Sequence, residues 1–158
     1  SVVGQQISVR AADAIWNRLD KACNNSITEN NLLRLSIEDM RKTGLSNTKS
    51  NYIMNIVNAN LTDLNWEDMN DDEVSNELCK IKGIGPWTAD MFLIFRLGRT
   101  NILPLGDIGL VNAINLHYNN KDKLSKEELM KFKKKWSPWC SIATWYMWRS
   151  LDPVPVEY

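Results

Sequence analysis

The sequence predicts an all-α protein, a bundle of roughly eight or nine helices. Apolar residues recur at helical spacing through most of the chain, and capping signals precede several of these segments. No stretch of strand length alternates apolar and polar residues. The 158 residues, 44% of them hydrophobic, are enough for one domain with a sizeable core. We therefore expect a single domain over residues 1–158.

The first half of the chain divides into four segments with helical patterns. Residues 7–23 place five apolar side chains on one helical face: Val9, Ala12, Ile15, Trp16 and Leu19. Residues 28–36 and 36–44 predict two short helices, the second opened by the capping-box spacing of Ser36 and Asp39. Residues 46–61 again repeat apolar side chains at helical spacing and predict a longer helix.

The second half continues in the same way around one glycine-rich turn. Two helical segments, 71–81 and 86–98, are joined by the turn Lys82-Gly83-Ile84-Gly85, and residues 99–106 predict a loop. Three further helical segments follow, at 107–118, 125–136 and 137–151. The prolines of residues 152–158 argue against a helix there.

Composition limits the cofactors and the location of the protein. The three cysteines lie far apart and His117 is the only histidine, so neither a disulfide framework nor zinc is expected. No secretory leader and no apolar run of the ~18–20 residues of a membrane span is seen, and we expect a cytoplasmic protein. Because the sequence begins inside a helical pattern, we also expect the full protein to have an N-terminal portion before residue 1.

The charge balance limits the range of partners. A formal net charge of +0 counts against an indiscriminate polyanion binder, although residues 131–136 form a dense basic run.

The turn Gly83-Ile84-Gly85 has two interpretations on the residues alone. It is either a plain helix connection with glycine at a helix end, or a clamp for a phosphate group. Glycines let a phosphate approach the backbone, and the N-terminus of the following helix favours negative charge. Pro86 suits the first turn of that helix, and lysines flank the turn. Such a clamp would grip a nucleic-acid backbone without reading its sequence.

The segment LCKIKGIGPWTADMF, residues 78–92, resembles the helix-hairpin-helix motif of a DNA glycosylase superfamily. In that superfamily a Gly/Pro-rich loop and an aspartate follow the hairpin, and LPLGD at 103–107 is similar. VVGQQIS, TGLSNTKSNYI and the segment 134–155 resemble further blocks of its 3-methyladenine DNA glycosylase II branch, which excises alkylated purines. The blocks keep the family's order over essentially the whole chain, so the resemblance implies a helix-hairpin-helix glycosylase fold.

The resemblance implies a role for each of several residues. Asp107 matches the catalytic aspartate, whose carboxylate would stabilise the positive charge that builds on the sugar; on the residues alone it is a helix N-cap. Gln6 matches the wedge that fills the gap left by a flipped nucleotide, with a solvated helix end as the alternative. The DNA-backbone contacts would come from Lys82, Gly83, Ile84, Gly85 and Lys49.

The base pocket is implied by the same resemblance. Trp148 matches the base-stacking tryptophan of the family, and an indole face attracts cationic bases. Trp87 occupies the position where strand-nicking relatives carry a nucleophilic lysine, which implies a monofunctional enzyme; core packing is the alternative for both indoles. Met91 departs from the family pattern, which has a pocket tyrosine there, so the range of bases stays open.

The resulting prediction is a monomeric, monofunctional glycosylase that excises 3-methyladenine, and 7-methylguanine with it, from damaged duplex DNA in the bacterial nucleoid. No cofactor is expected, although the carbonyls of a bare hairpin can hold a monovalent cation. Two alternatives stay open: another lesion specificity in the same superfamily, and a non-catalytic helix-hairpin-helix module that only binds DNA.

Overall fold

The computed structural model describes residues 2–119 and 122–151, and within these ranges the chain forms α-helices and 3-10 turns but no strand. The predicted non-helical tail, 152–158, lies outside the described residues. The all-α prediction is confirmed. Contacts divide the chain into two compact units, Ser1–Thr88 and Ala89–Tyr158, and the division falls within one helix.

The first unit is built from short helices with side-chain caps. After a 3-10 turn at Val2–Gly4 come α1 (Val9–Ala22), α2 (Glu29–Leu33), α3 (Ile37–Lys42), α4 (Asn47–Val57) and α5 (Asp71–Cys79). A hydroxyl or amide oxygen accepts a backbone N–H at the start of every one of them: Ser8, Thr28, Ser36, Ser46 and Asn70. The capping box predicted at Ser36 and Asp39 is present. Caps of this kind typically stabilise a helix by about 1 kcal/mol each.

Burial of apolar side chains holds these helices together, because helices as short as α2 and α3 are not stable alone. The core contains Val2, Val3, Leu19, Cys23, Met40, Leu45, Ile53 and Val57. Each large side chain of this kind contributes about 1.5–3 kcal/mol when fully buried. The predicted apolar face of α1 is only partly buried: Leu19 is 1% exposed, but Val9 is 79% and Trp16 48% exposed. Helical spacing thus predicts which side chains share a face of α1, but not how much of that face is buried.

The helix α6 (Pro86–Phe95) leads from the first unit into the second, which continues with α7 (Ile108–Tyr118), α8 (Lys126–Trp136) and α9 (Cys140–Arg149). Leu110 and Ile114 of α7 pack with Leu129 and Phe132 of α8 in its core. Ser125 and Glu128 form a capping box at the start of α8. The loop between α6 and α7, 96–107, carries the Asp107 segment.

Candidate active site

The predicted hairpin turn lies between α5 and α6 and is longer than the sequence suggested. The helix α5 ends at Cys79 rather than at residue 81, and residues 80–85 connect it to α6. Within the turn the Ile84 N–H donates to the Ile81 carbonyl at 3.0 Å. The Asn55 side-chain amide of α4 donates to the Lys82 carbonyl at 3.0 Å. The turn is thus held by one bond of its own and by one bond from α4, while the Lys82 side chain is exposed.

The two glycines of the turn lie in different surroundings. Gly83 has a φ of +112°, and a Cβ added there would lie 2.3 Å from Cγ of Tyr52. Gly83 is therefore needed for backbone conformation and for packing against Tyr52. A Cβ at Gly85 would meet no atom within 4 Å. Of the two, Gly85 is the one whose missing side chain leaves open space at the start of α6.

The predicted wedge, Gln6, lies before α1 rather than at its start, because the helix is capped by Ser8 and begins at Val9. Gln6 is exposed and has a φ of 57°, a left-handed conformation that is uncommon for a residue with a side chain. Its neighbour Gln5 donates from Nε2 to the Thr88 hydroxyl at 3.5 Å. A tight turn thus presents Gln6 to solvent, and its role as a wedge stays a prediction.

Lys49 is tied to the protein backbone. Its ammonium donates to the Val3 carbonyl at 2.8 Å, and burial lowers the pKa of this lysine. This bond fixes the segment just before Gln5 and Gln6 to α4. Because an ammonium has three donors, the bond is compatible with the predicted phosphate contact, which stays a prediction.

In the second unit, Asp107 is the N-cap of α7 and also the partner of a tryptophan. Its Oδ1 accepts the Leu110 N–H at 2.7 Å and the Trp148 indole N–H at 2.8 Å. A Cβ at Gly109 would lie 3.1 Å from the same oxygen, so a glycine there keeps the space beside the carboxylate clear. The two N–H donors fix the orientation of the half-buried carboxylate, and Gly109 leaves the room that this orientation needs.

The loop that carries Asp107 is anchored at both ends. The Ser141 hydroxyl donates to the Arg99 carbonyl at 2.6 Å and accepts the Ile102 N–H at 3.0 Å. Pro104 is fully buried, and its carbonyl accepts the Asp107 N–H at 2.8 Å. The position of Asp107 therefore depends on Ser141 of α9, a residue that the sequence did not single out and that carries no local signal.

Trp148 and Met91 belong to the second unit, Trp87 to the first. The Trp148 ring stacks on Phe95, with ring centres 6.0 Å apart and planes 17° apart. Met91 is half-buried on α6, four residues after Trp87. Trp87 is half-buried and lines an open cavity together with Trp16. The structure thus pairs Trp148 with Asp107, and the sequence missed Phe95 and Trp16 as neighbours of the predicted pocket residues.

A second carboxylate in this unit, Asp90 of α6, is not among the site residues that the sequence predicted. Burial raises its pKa to about 6, although the positive charge of Lys133 acts in the opposite direction. The Lys133 ammonium itself donates to the Asn101 carbonyl in the loop.

Within 2–119 and 122–151, no three side chains of His, Cys, Asp or Glu come together as a metal site. His117 instead shares a hydrogen bond of 2.8 Å with the Ser150 hydroxyl. In the same ranges, no helix has the length and apolar character to cross a membrane.

Residues 1–138 match the profile of the HhH-GPD superfamily base excision DNA repair protein. The protein YfjP of Bacillus subtilis is 38% identical over 125 residues, which are 77% of this chain and 44% of that protein. DNA-3-methyladenine glycosylase 1 of Schizosaccharomyces pombe is 30% identical over 157 residues, 95% of this chain and 69% of that protein.

Among solved structures, the 3-methyladenine DNA glycosylase Mag1 of Schizosaccharomyces pombe in complex with abasic DNA matches with a TM-score of 0.84. It is 30% identical, over 94% of this chain and 76% of that one. The chain therefore spans about half to three quarters of the length of these proteins. With a profile match over most of its length, the chain belongs to the HhH-GPD superfamily of base excision DNA repair proteins.

Proposed function

We propose that this chain is the catalytic part of a monofunctional DNA glycosylase that removes alkylated bases from duplex DNA. The expected first substrate is 3-methyladenine, with 7-methylguanine as a second. The observation that carries the proposal is the pair of hydrogen bonds that orients the Asp107 carboxylate, from Leu110 and from Trp148. The family match and the similarity to DNA-3-methyladenine glycosylases support it.

The proposed reaction is hydrolysis of the bond between C1′ and the base nitrogen. The bond electrons leave with the base, positive charge develops on the sugar, and a water oxygen forms the new bond to C1′ and loses a proton. A carboxylate held in place before the reaction stabilises that charge without having to reorganise. Asp107 would supply this stabilisation and orient the water.

An alkylated purine with a positive charge is a good leaving group. Because the base is cationic, an electron-rich pocket would select it without a set of polar side chains that hydrogen-bond to the base. Trp148 is the proposed stacking surface, with Met91 and Trp87 as further pocket residues. Because Trp87 cannot form a Schiff base, the enzyme would leave the strand intact.

The DNA backbone would be held at the turn between α5 and α6. The open space at Gly85 and the exposed Lys82 side chain suit a phosphate there. Gln6 would fill the gap left by the flipped nucleotide. The proposal is of a monomeric enzyme in the bacterial cytoplasm, acting on damaged duplex DNA without a cofactor.

The test is release of free base from methylated duplex DNA by the wild type, by Asp107→Asn and by the control Asp122→Asn. Asparagine caps a helix as well as aspartate does, so Asp107→Asn keeps α7 intact. We expect Asp107→Asn to lower the rate by about 100-fold or more, as loss of one preorganised electrostatic group commonly does. Its DNA affinity should stay within about threefold of wild type, and Asp122→Asn should behave as wild type.

Base release by the wild type, with strands that break only after alkali, would support the monofunctional enzyme. Release that Asp107→Asn does not slow would remove Asp107 from the reaction. If the wild type binds DNA but releases no base, the proposal is wrong. The chain would then be a DNA-binding module or a glycosylase for another lesion.

A further inference from the structure

The second half of α8 carries a basic surface that has no part in the proposed site. Lys131, Lys134 and Lys135 are exposed, and their spacing of three and four residues places them on one face of the helix. Lys133, the other lysine of this run, is half-buried, and its ammonium donates to the Asn101 carbonyl. The three exposed lysines therefore form a group of their own, which we call the α8 lysine face.

The charges of the α8 lysine face are not neutralised by side chains of the described part of the protein, where ion pairs occur only in the first unit. The acid closest to these lysines in sequence, Glu128, is engaged in the cap of α8. Its pKa is lowered chiefly by hydrogen bonds with Ser125, with a smaller contribution from the charge of Lys131. The three ammonium groups are thus available to an anion from outside.

Aromatic rings hold one of these ammonium groups at the surface. The Lys135 ammonium lies 4.5 Å from the ring centre of Tyr118 and 5.6 Å from that of Phe132. Tyr118 is 45% exposed and packs edge-on against Phe132, with ring centres 4.9 Å apart. A cation–π contact of this kind orients the ammonium, and its N–H donors on the side away from the ring can still bind an anion.

The stability of α8 explains only part of this face. Lysines in the last turn of a helix interact favourably with its dipole, and Lys134 and Lys135 lie in that turn. Lys131 lies outside it. Like charges three and four residues apart on a helix repel one another, so Lys131 destabilises the free helix through both of its neighbours on this face. A bound polyanion would turn this repulsion into attraction.

The charge of the chain is unevenly distributed, although its formal net charge is +0. Residues 89–158 contain ten Lys and Arg against seven Asp and Glu, whereas residues 1–88 contain nine against twelve. The lysine face therefore belongs to the basic unit, which also holds Asp107. It lies at the other end of α7, because Asp107 caps the first turn of that helix and Tyr118 is its last residue. A helix of 11 residues is about 16 Å long, which corresponds to about five base pairs of duplex DNA.

We infer that the α8 lysine face binds the phosphate backbone of DNA away from the damaged nucleotide, as a contact that does not depend on the lesion. Three ammonium groups on one helix face suit a row of phosphates, and such contacts carry no sequence information. The choice of DNA as the polyanion rests on the proposed function. Binding to undamaged DNA is measured without turnover, however, so the two can fail separately.

The test is the affinity for an undamaged duplex of about 30 base pairs, measured by fluorescence anisotropy over a series of salt concentrations. The deciding variant is Lys131→Gln/Lys134→Gln, which leaves the Lys135 contact with Tyr118 in place. Its matched control, Lys21→Gln/Lys42→Gln, removes the same two charges from exposed lysines of the first unit.

We expect Lys131→Gln/Lys134→Gln to bind the duplex on the order of tenfold more weakly than wild type at low salt. The slope of log affinity against log salt concentration should become shallower by about 2, since each phosphate contact contributes about 0.9. The control should keep the wild-type slope. At saturating enzyme, the rate of base release from methylated DNA should be the same for the variant and wild type, because the lysine face does not touch the reacting atoms.

An unchanged slope in Lys131→Gln/Lys134→Gln, or an equal change in the control, would overturn the inference. Weaker binding of polyglutamate by the variant, with DNA binding unchanged, would also overturn it and assign the face to an acidic protein. A protein that releases methylated bases but shows no effect of the variant on DNA affinity would keep the proposed function and lose this contact. One that loses DNA affinity in the variant but releases no base would do the reverse.

Discussion

The helices α6 and α7 begin in opposite ways. The α7 helix starts at Asp107, whose own carboxylate accepts a backbone N–H of the first turn. The α6 helix is entered from Gly85, which has no side chain and faces open space, and its first residue is Pro86. Both N-termini carry the partial positive charge of a helix dipole.

The difference shows that the preference of a helix N-terminus for negative charge can act on two kinds of group. At α7 it helps to orient a carboxylate of the protein, which also accepts the Trp148 indole N–H. At α6 no side chain can do the same from the Gly85 position, which under the proposed function is where a DNA phosphate binds. If the two helix starts differ in this way, substitutions at them should have different effects on stability and on DNA binding.

The largest effect is expected at the hairpin, from Gly83→Ala. The new Cβ would overlap the Tyr52 ring and force alanine into a φ of +112°. We expect a loss of about 2–4 kcal/mol in the free energy of unfolding, measured by denaturant titration.

The matched control is Gly85→Ala, whose Cβ meets no neighbour. Its stability should stay within about 0.5–1 kcal/mol of wild type. Its affinity for duplex DNA should fall on the order of tenfold, because the methyl group occupies the approach of the phosphate. Equal destabilisation by the two variants would contradict the separate roles of the glycines.

A smaller and pH-dependent effect is expected at Asp90, a carboxylate that lies within α6 rather than at its start. Its pKa is raised by burial from 3.8 to about 6, so the folded state binds the proton more tightly than the unfolded state. Stability from the protonated form is full below about pH 4 and is lost as the pH rises through about 6.

Asp90→Asn should therefore stabilise the protein at pH 7 by about 1–3 kcal/mol, after allowance for solvent screening, and change little near pH 4. Thermal unfolding across this pH range measures the effect. A gain of the same size at both pH values would show that the ionisation of Asp90 is not its cause.

The smallest effect on stability is expected at Asp107. Both substitutions there remove the negative charge, but only alanine also removes the hydrogen-bond acceptor. Asp107→Ala removes the acceptor of both the Leu110 N–H and the Trp148 indole N–H and should cost about 1–2 kcal/mol of stability. Asp107→Asn keeps an acceptor oxygen and should cost only about a few tenths of a kcal/mol. Denaturant titration of the two variants beside wild type gives both values. If alanine and asparagine destabilise equally, the side chain does not act as the cap of α7.

Much of the fold could be predicted because helix signals are local. A cap such as Ser36 or Ser125 acts on an N–H three residues away, and its signature is visible in the sequence. Burial is harder to predict. Apolar residues at helical spacing show which side chains share a face of the helix, but not which parts of the protein pack against that face. Trp16 has the spacing of a core residue and yet borders a cavity.

The all-α class, the hairpin turn and the cap at Asp107 can be read from the sequence, because each depends on interactions over a few residues. Three other features are visible only in the folded chain: the packing of Tyr52 against Gly83, the bond from Lys49 to the Val3 carbonyl, and the bond from Trp148 to Asp107 across 41 positions. Such pairs depend on how the packed helices bring distant segments within hydrogen-bond or contact distance. The spacing of residues along the chain does not show which distant segments will meet.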